Sequence, residues 1–308
     1  MYYTNPIFDE DFPDPAVLHA SDGWYYGYAT QTLVEGRTFN IQVARSRDLI
    51  EWEHLGDALP VKPRWADRTQ QFWAPHVVEH DGTFYMYYSS AANKRLGMCI
   101  AAATATHPAG PFVDCGKPLV SGGGFVHIDP MAFDDPGTGK RLLYWGSGFQ
   151  PIRVQELAPD RVSFAPGSKP VTVLRPDRAT PYERLIEASW VIERDGLYYL
   201  FYSGDNCCGD GAHYAVMVAR SESATGPFVK RAKAGDGYSD SVILQHSDCW
   251  LAPGHHAVVR DRAGDDWIIY HAIDCREPQL EESIPGDRDT RRILLMDRLI
   301  YRDGWPCV

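Results

Sequence analysis

Five residues are candidates for chemistry because each precedes a turn and an aromatic strand: Asp14, Trp73, Asp129, Glu187 and His255. Three of the five are carboxylic acids. Acids that share a partly buried site repel one another, and both this repulsion and burial raise their pKa values. A carboxyl group that stays protonated near neutral pH can donate to a leaving oxygen while an ionised neighbour activates water. The set therefore indicates acid/base catalysis.

The five residues recur at a nearly constant distance from a turn glycine. Asp14 lies nine positions before Gly23, and each glycine is followed by a segment rich in Tyr, Phe or Trp, such as residues 24–28 and 197–202. The same offset holds for Trp73 and Gly82, Glu187 and Gly196, and His255 and Gly264, whereas Asp129 lies ten positions before Gly139. A repeat of about 55 to 70 residues made of short strands and turns is typical of a propeller.

Each repeat also contains two later strand-like segments. The third strands are predicted at residues 41–45, 98–102, 152–156, 215–219 and 293–297, and the outer strands near residues 52–54, 112–114, 162–164, 228–230 and 299–301. We therefore predict an all-β, five-bladed β-propeller with four antiparallel strands per blade, which leaves only short sheet edges. The first strand of each blade lines the axis, so the five candidate residues should meet at one face.

Each candidate also has a structural interpretation. Asp before Pro is common in turns, so Asp14 and Asp129 could serve the backbone alone. Glu187 lies inside an apolar run, where a charge without a partner is unfavourable. Trp73 could be a core aromatic or a surface that stacks on a sugar ring. His255 could be a neutral core histidine or a ligand of an ion on the axis.

The overall composition limits the choice of partner. The 308 residues carry a net charge of −11 without a basic cluster, which argues against nucleic acid or an anionic membrane as a partner. No apolar stretch approaches the length of a membrane span, and residues 1–6 lack the features of a signal peptide. We expect one domain over residues 1–308, located in the cytoplasm, or secreted or periplasmic if a signal peptide has been removed.

Seven cysteines at irregular spacing indicate neither a disulfide framework nor a zinc site. The adjacent pair Cys207 and Cys208 lies in a Gly/Asp loop after an aromatic strand. A vicinal disulfide is one interpretation, and free thiols are the expectation.

Five segments in order resemble glycoside hydrolase family 43, whose members are five-bladed propellers acting on polysaccharides that contain arabinose or xylose. They are residues 12–17 (FPDPAV), 72–76 (FWAPH), 127–130 (HIDP), 186–190 (IEASW) and 253–256 (PGHH). The resemblance implies that Asp14 is the general base, Glu187 the general acid, and Asp129 the residue that orients the acid and keeps its pKa raised. It also implies inversion at the anomeric carbon, for which base and acid stand about 6.5 to 9.5 Å apart.

The resemblance further implies substrate-binding residues. An arginine late in the last blade binds sugar hydroxyls in such enzymes, and Arg292 is preferred here over Arg291 because strand alternation separates the two. Aromatic and imidazole side chains expected around the sugar are Trp73, His76, Phe125, Trp145 and His255. His76 departs from the pattern, since many relatives have Asp there.

No cofactor is expected to be required. Some relatives hold calcium on the axis through a histidine at the place of His255, and any such ion here would be coordinated largely by water. We expect an enzyme that releases arabinofuranose from plant cell-wall polysaccharide or its oligosaccharides. A β-D-xylosidase of the same family and a propeller that binds carbohydrate without turnover are the alternatives.

Overall fold

The computed structural model describes residues 2–94, 97–231, 240–282, 284 and 290–308. Its regular structure consists of short strands, which suits the many β-branched and aromatic residues and the frequent turn glycines. In chain order the strands are β1 Ala16–His19, β2 Tyr25–Ala29, β3 Thr32–Val34, β4 Arg37–Phe39, β5 Gln42–Ser46, β6 Trp52–Asp57, β7 Phe72–His80, β8 Thr83–Ala91, β9 Met98–Ala105, β10 Val113–Asp114, β11 Val120–Ser121, β12 Met131–Asp134 and β13 Arg141–Trp145. They continue as β14 Ile152–Glu156, β15 Val171–Leu174, β16 Ile186–Arg194, β17 Leu197–Asn206, β18 His213–Ser221, β19 Val229–Lys230, β20 Val242–Leu244, β21 Trp250–Arg260, β22 Asp266–Asp274, β23 Ile293–Arg298, β24 Ile300–Arg302 and β25 Trp305–Cys307.

Five antiparallel sheets form a ring, which confirms the predicted five-bladed propeller. Four sheets have the four-strand path predicted from the sequence: β1-β2-β5-β6, β7-β8-β9-β10, β12-β13-β14-β15 and β16-β17-β18-β19. Two of these sheets carry an extra short strand, β11 on β9 and β20 on β18. The innermost strand of each sheet comes first in the chain, so the blade openings meet around the axis.

The fifth blade differs from the prediction of four strands. Among the described residues it contains the three-stranded sheet β21-β22-β23, and the predicted outer strand at 299–301 belongs instead to the hairpin β24-β25. The N-terminal segment lies beside β23, because the Ile7 N–H donates to the Leu294 carbonyl at 3.0 Å and the Leu294 N–H donates to the Phe8 carbonyl at 3.1 Å. This pairing closes the ring and brings the segment before Asp14 against the last blade.

The outer strand of the third blade was also predicted at the wrong place. Val162 and Ser163 form a bend in which the Asp160 carboxylate accepts their N–H groups, both at 3.0 Å, and Phe164 forms an isolated antiparallel bridge with Leu157. The strand that pairs with β14 is β15, seven or more residues later. The turn at Asp160 is therefore followed by a single bridge and not by a strand.

The core lies between neighbouring blades. Alternate residues of an aromatic strand point to opposite faces of their sheet, so Tyr25 joins one apolar cluster while Tyr26 and Tyr28 join another. In the second blade Tyr88 packs toward the first blade and Tyr87 toward the third. Consecutive aromatic residues thus hold each blade to both of its neighbours.

In the described part of the chain, no helix has the length and apolar character needed to cross a membrane.

Candidate active site

One residue at the start of each inner strand has a left-handed backbone, and none of the five is glycine. Such a conformation is uncommon for residues with a side chain and clusters at functional sites. The five residues are Asp14 (φ 55°), Ala74 (φ 46°), Asp129 (φ 59°), Ala188 (φ 54°) and His255 (φ 39°). Pairing registers shift just beside three of them, between Trp73 and His76, between Glu187 and Trp190, and between Leu251 and His256.

The left-handed positions do not all coincide with the residues that lie at a constant distance from the turn glycines. Trp73 and Glu187 lie one residue before the left-handed position, whereas Asp14 and Asp129 occupy it. The bulges explain this difference. At a bulge the chain changes direction, while the number of residues from the candidate residue to the turn glycine stays the same. Glu187 therefore enters the site from a different backbone position than the two aspartates.

The N–H groups of these left-handed residues are bound by side chains. Four of the acceptors are Thr30, Ser89, Ser203 and His271, each at the end of the second strand of the preceding blade. Ala188 differs, because its N–H donates to Asp129 Oδ2 at 3.1 Å. The backbone around the axis is thereby fixed by hydrogen bonds from blade to blade.

Asp14 is held by groups from the first and last blades. Its Oδ1 accepts a hydrogen bond from Arg292 Nη1 at 2.9 Å, and its Oδ2 accepts one from the Thr30 hydroxyl at 2.6 Å. Two imidazoles stand beside it, with His255 Nδ1 and His271 Nδ1 both 3.4 Å from Oδ1. Arg291 instead contacts Asp9, so Arg292 is the arginine that faces the acids.

The surroundings of Asp14 favour its ionised form. Burial by itself would raise the pKa of the carboxyl group, but the Arg292 guanidinium, the two histidines and the Thr30 hydrogen bond outweigh burial and hold the pKa well below its usual range. Asp14 is therefore ionised throughout the ordinary pH range.

Asp129 has the opposite environment. Burial, the nearby Glu187 and the nearby Asp14 together raise the pKa of Asp129 well above its usual value. Its backbone N–H donates to Ser89 Oγ at 3.0 Å, and its carboxylate receives the Ala188 N–H next to Glu187. Asp129 thus interacts with Glu187 both through charge and through the strand that carries it.

Glu187 is positioned by two hydroxyl groups, one on each carboxyl oxygen. Tyr214 donates to Oε1 at 2.9 Å, and the Ser147 hydroxyl donates to Oε2. The Tyr214 ring is 1 % exposed and stacks on His271 with ring centroids 6.0 Å apart and planes 9° apart. Since burial and the charge of Glu187 raise the pKa of Tyr214 well above its usual value, this phenol stays a neutral donor.

Trp73, which precedes the left-handed Ala74, forms an aromatic pair with Phe125. The rings of Trp73 and Phe125 stack with centroids 6.1 Å apart and planes 17° apart, and Phe125 is 57 % exposed. Exposed stacked rings offer the kind of flat apolar face on which a sugar ring can pack. Both residues were predicted from the sequence to bind substrate.

Two other predicted substrate-binding residues lie elsewhere. Trp145 is 1 % exposed, packs against Phe164 and donates from Nε1 to His127 at 3.1 Å, so its ring is part of the blade core and is not available to a sugar. His76 accepts the Ala132 N–H at 3.3 Å and packs against Trp190. Both positions differ from the prediction, Trp145 because its ring packs in the blade core, and His76 because it lies on a cavity that the acids do not line.

His76 lines an axial cavity of about 970 Å³ together with residues of all five inner strands, including Val17, Met131, Trp190 and Val258. None of the three acids lines this cavity. Burial lowers the pKa of His76 to about 3, so the imidazole is neutral. The cavity and the acid cluster are therefore separate parts of the axis.

His255 does not form a calcium cage with its neighbours. Within the described ranges no group of three or more His, Cys, Asp or Glu is arranged to hold a metal ion, and His255 Nδ1 faces the carboxylates of Asp14 and Asp129 at 3.4 and 3.8 Å. Burial lowers the pKa of His255 to about 4, despite the opposing effect of Asp14. The residues do not fit a calcium ion held by protein oxygens, and a water-rich site remains a prediction.

Sequence reasoning missed Ser147, Tyr214, His271 and Thr30. Three of these four residues lie shortly after an aromatic residue of the second strand of a blade. Thr30 comes two positions after Tyr28, Ser147 two after Trp145, and His271 directly after Tyr270. A search for polar residues at the end of each aromatic strand could have found them. Tyr214 has no such pattern, because it lies on the third strand of its blade.

Cys207 and Cys208 are joined by a disulfide, whereas free thiols were expected. Cys207 packs on a small apolar cluster that contains Tyr214, Ala252 and Ile273. The disulfide loop therefore borders the side chain that binds Glu187.

Comparisons with known proteins agree with this site. Residues 3–306 match the model for Glycosyl hydrolases family 43. The chain is 31% identical to a probable arabinan endo-1,5-alpha-L-arabinosidase B of Aspergillus fumigatus, covering 95% of this chain and 84% of the relative. It is 26% identical to the extracellular exo-alpha-(1->5)-L-arabinofuranosidase ArbA of Cellvibrio japonicus, covering 97% and 86%.

A solved structure of a thermostable family-43 glycoside hydrolase superimposes with a TM-score of 0.79 at 27% identity, covering 100% of this chain and 96% of that one. The resemblance inferred from five short segments is thus confirmed across the chain. The chain belongs to glycosyl hydrolases family 43 and is a glycoside hydrolase.

Proposed function

We propose that this glycoside hydrolase releases α-L-arabinofuranose from arabinan, arabinoxylan or their oligosaccharides by single displacement with inversion. The observation that carries the proposal is the contrast between two acids in one site. Asp14 is held ionised by Arg292 and the histidines, while burial and neighbouring carboxylates raise the pKa of Asp129 beside Glu187. Hydrolysis by inversion needs one ionised carboxylate and one protonated carboxyl group.

Asp14 acts as the general base. Its carboxylate takes a proton from the water that attacks the anomeric carbon, and it is ionised at any pH at which the enzyme works. Arg292, Thr30 and the Asp14 N–H bond to His271 fix the direction of this carboxylate. A fixed base avoids the loss of rate that a mobile side chain would cause.

Glu187 acts as the general acid and protonates the departing oxygen. Two carboxyl groups that repel each other when both are ionised keep a shared proton to higher pH than either acid alone. Asp129 supplies this repulsion and holds the Ala188 N–H next to Glu187. Tyr214 and Ser147 keep the Glu187 carboxyl group aimed during proton transfer.

Arabinofuranose is favoured as the released sugar for two reasons. The relatives described above are named as an arabinosidase and an arabinofuranosidase acting on 1,5-linked arabinan or its fragments. The stacked pair Trp73 and Phe125, of which Phe125 is exposed, provides an apolar face, which suits the ring of a neutral sugar. A location outside the cytoplasm accords with the extracellular relative and with the disulfide at Cys207 and Cys208.

The test is a comparison of purified protein on p-nitrophenyl α-L-arabinofuranoside, p-nitrophenyl β-D-xyloside and linear 1,5-arabinan, with Glu187→Gln as the control. The proposal is supported if the wild type releases arabinose and the variant releases none from arabinan. Turnover of the xyloside alone identifies a β-D-xylosidase. Silence on all three, with arabino-oligosaccharide still bound in calorimetry, identifies a carbohydrate-binding propeller.

A further inference from the structure

Two exposed cysteines lie opposite each other at the open end of the fifth blade. The ladder between β21 and β22 begins at the pair Trp250 and Asp274. One step further out are Cys249 and Cys275, and the Cys275 N–H donates to the Cys249 carbonyl at 3.1 Å. This hydrogen bond places the two cysteines beside each other just past the last pair of the ladder, and both carry free thiols in the structure.

The place of Cys249 and Cys275 one step beyond the ladder favours an arrangement with both thiols on the same side of it. Residues directly opposite each other in an antiparallel pair project toward the same face. The Cys275 thiol reaches across to the partner strand, where it lies 3.4 Å from the carbonyl of Asp248, the residue before Cys249.

The backbone spacing suits a covalent bond. Residues in a hydrogen-bonded antiparallel pair have Cα atoms about 5.5 Å apart. Disulfide-linked residues have Cα atoms about 4.4 to 6.8 Å apart. Two residues at this kind of spacing are within reach of a disulfide, which the exposed side chains would form by rotation.

We propose that Cys249 and Cys275 are a redox site. The two thiols form a disulfide with each other across the strands, and a small-molecule disulfide such as glutathione disulfide is the oxidant. The thiolate of one cysteine attacks the oxidant, forming a mixed disulfide and releasing one glutathione thiolate. The second cysteine, as its thiolate, attacks the protein sulfur of that mixed disulfide and releases the second glutathione. One protein dithiol is oxidised, one glutathione disulfide is reduced to two glutathione thiols, and the two protein thiol protons go to them.

The cross-link would fasten the part of the blade that borders the acid site. The next pair inward, Leu251 and Ile273, belongs to the cluster that contains Tyr214 and Cys207. A bond between residues 249 and 275 closes a loop in the unfolded chain and so stabilises the folded state. We expect the melting temperature to rise by about 5 °C on oxidation.

The experiment incubates the full-length protein in glutathione buffers of graded redox potential, quenches with acid, alkylates free thiols and maps the digest by mass spectrometry. The expected result is a cross-linked peptide pair containing Cys249 and Cys275, with a mass 2 Da below the sum of the reduced peptides. Cys115, an exposed thiol in the second blade, serves as the internal control and should be alkylated or carry a single glutathione.

Cys249→Ser and Cys275→Ser should each remove the cross-linked pair, and the double variant should lose the rise in melting temperature that the wild type shows on oxidation. The double variant also reports any contribution from the disulfide at Cys207 and Cys208. Alkylation of both cysteines at every potential would overturn the proposal. So would stable glutathione adducts at both positions without a cross-linked pair.

Discussion

Arg292 donates a hydrogen bond to Asp14 at 2.9 Å although the two residues are 278 positions apart in the chain. The contact depends on the ring closure, in which the N-terminal segment pairs with β23 and the Phe12 N–H donates to the Arg292 carbonyl at 2.8 Å. The strand pairing that completes the propeller thus also joins the proposed base to the cation that keeps it ionised.

Removing this cation should shift the acidic limb of the pH profile. The Asp14 pKa is depressed, so the base is active at all ordinary pH values, and Arg292→Gln should raise that pKa by removing the positive charge. The acidic limb of kcat/KM should then move to higher pH, with a loss of about a hundredfold at neutral pH. Arg292→Lys is the matched control and should shift the limb less, whereas equal profiles for all three proteins would exclude this role.

Replacing Asp129 should act on the basic limb. Asp129→Asn keeps an oxygen for the Ala188 N–H but removes the second carboxyl group, and with it the repulsion that arises when both groups are ionised. Without that repulsion Glu187 should release its proton at lower pH, so the basic limb of kcat/KM should move down. A basic limb that stays in place while the rate falls would mean that Asp129 acts through structure alone.

Removing either hydroxyl group that donates to Glu187 should shift the basic limb of the pH profile in the opposite direction. Both donate to carboxyl oxygens, which favours the ionised form, so Tyr214→Phe or Ser147→Ala should move the basic limb to higher pH. We also expect a loss of about tenfold to a hundredfold in kcat with little change in KM, because the Glu187 carboxyl group would no longer be held in position for proton transfer. A change confined to KM would contradict a positioning role.

Gly254 tests the packing of Tyr214. A Cβ atom at this position would lie 2.0 Å from Tyr214 Cδ1, and the ring is confined by its contact with His271. Gly254→Ala should therefore displace Tyr214, reduce the free energy of unfolding by about 1–3 kcal/mol and lower activity. Gly123→Ala is the control, since its Cβ would meet no atom within 4 Å. Unchanged stability in both variants would mean that the site adapts.

Loss of the general acid should depend on the leaving group. Glu187→Gln preserves the shape of the side chain but removes the proton donor, so cleavage of arabinan should fall by about 10²- to 10⁴-fold. A p-nitrophenyl glycoside has a good leaving group and should lose much less. Equal losses on both substrates would show that Glu187 is not the acid. Asp14→Asn should abolish both activities because every substrate needs the activated water.

The sequence predicted the fold well because strand and turn patterns are local. Aromatic strands and turn glycines repeat five times, and each pattern lies within a few residues. The fifth blade was wrong because its edge is formed by a segment at the other end of the chain, and a long-range pairing leaves no local pattern. Asp14, Asp129 and Glu187 were visible because three acids recur at nearly equivalent distances from the turn glycines. Tyr214 was not, because it lies on the third strand of its blade, and only the packing of β18 against β21 holds it beside Glu187.

The configuration of the first sugar released tests the central claim most directly. Proton NMR recorded during early turnover of an α-1,5-linked arabino-oligosaccharide resolves the anomeric signal before mutarotation. Single displacement by an Asp14-activated water, with Glu187 as the acid, predicts that β-L-arabinofuranose appears first. If α-L-arabinofuranose appears first, the configuration is retained and the assigned roles of Asp14 and Glu187 are contradicted.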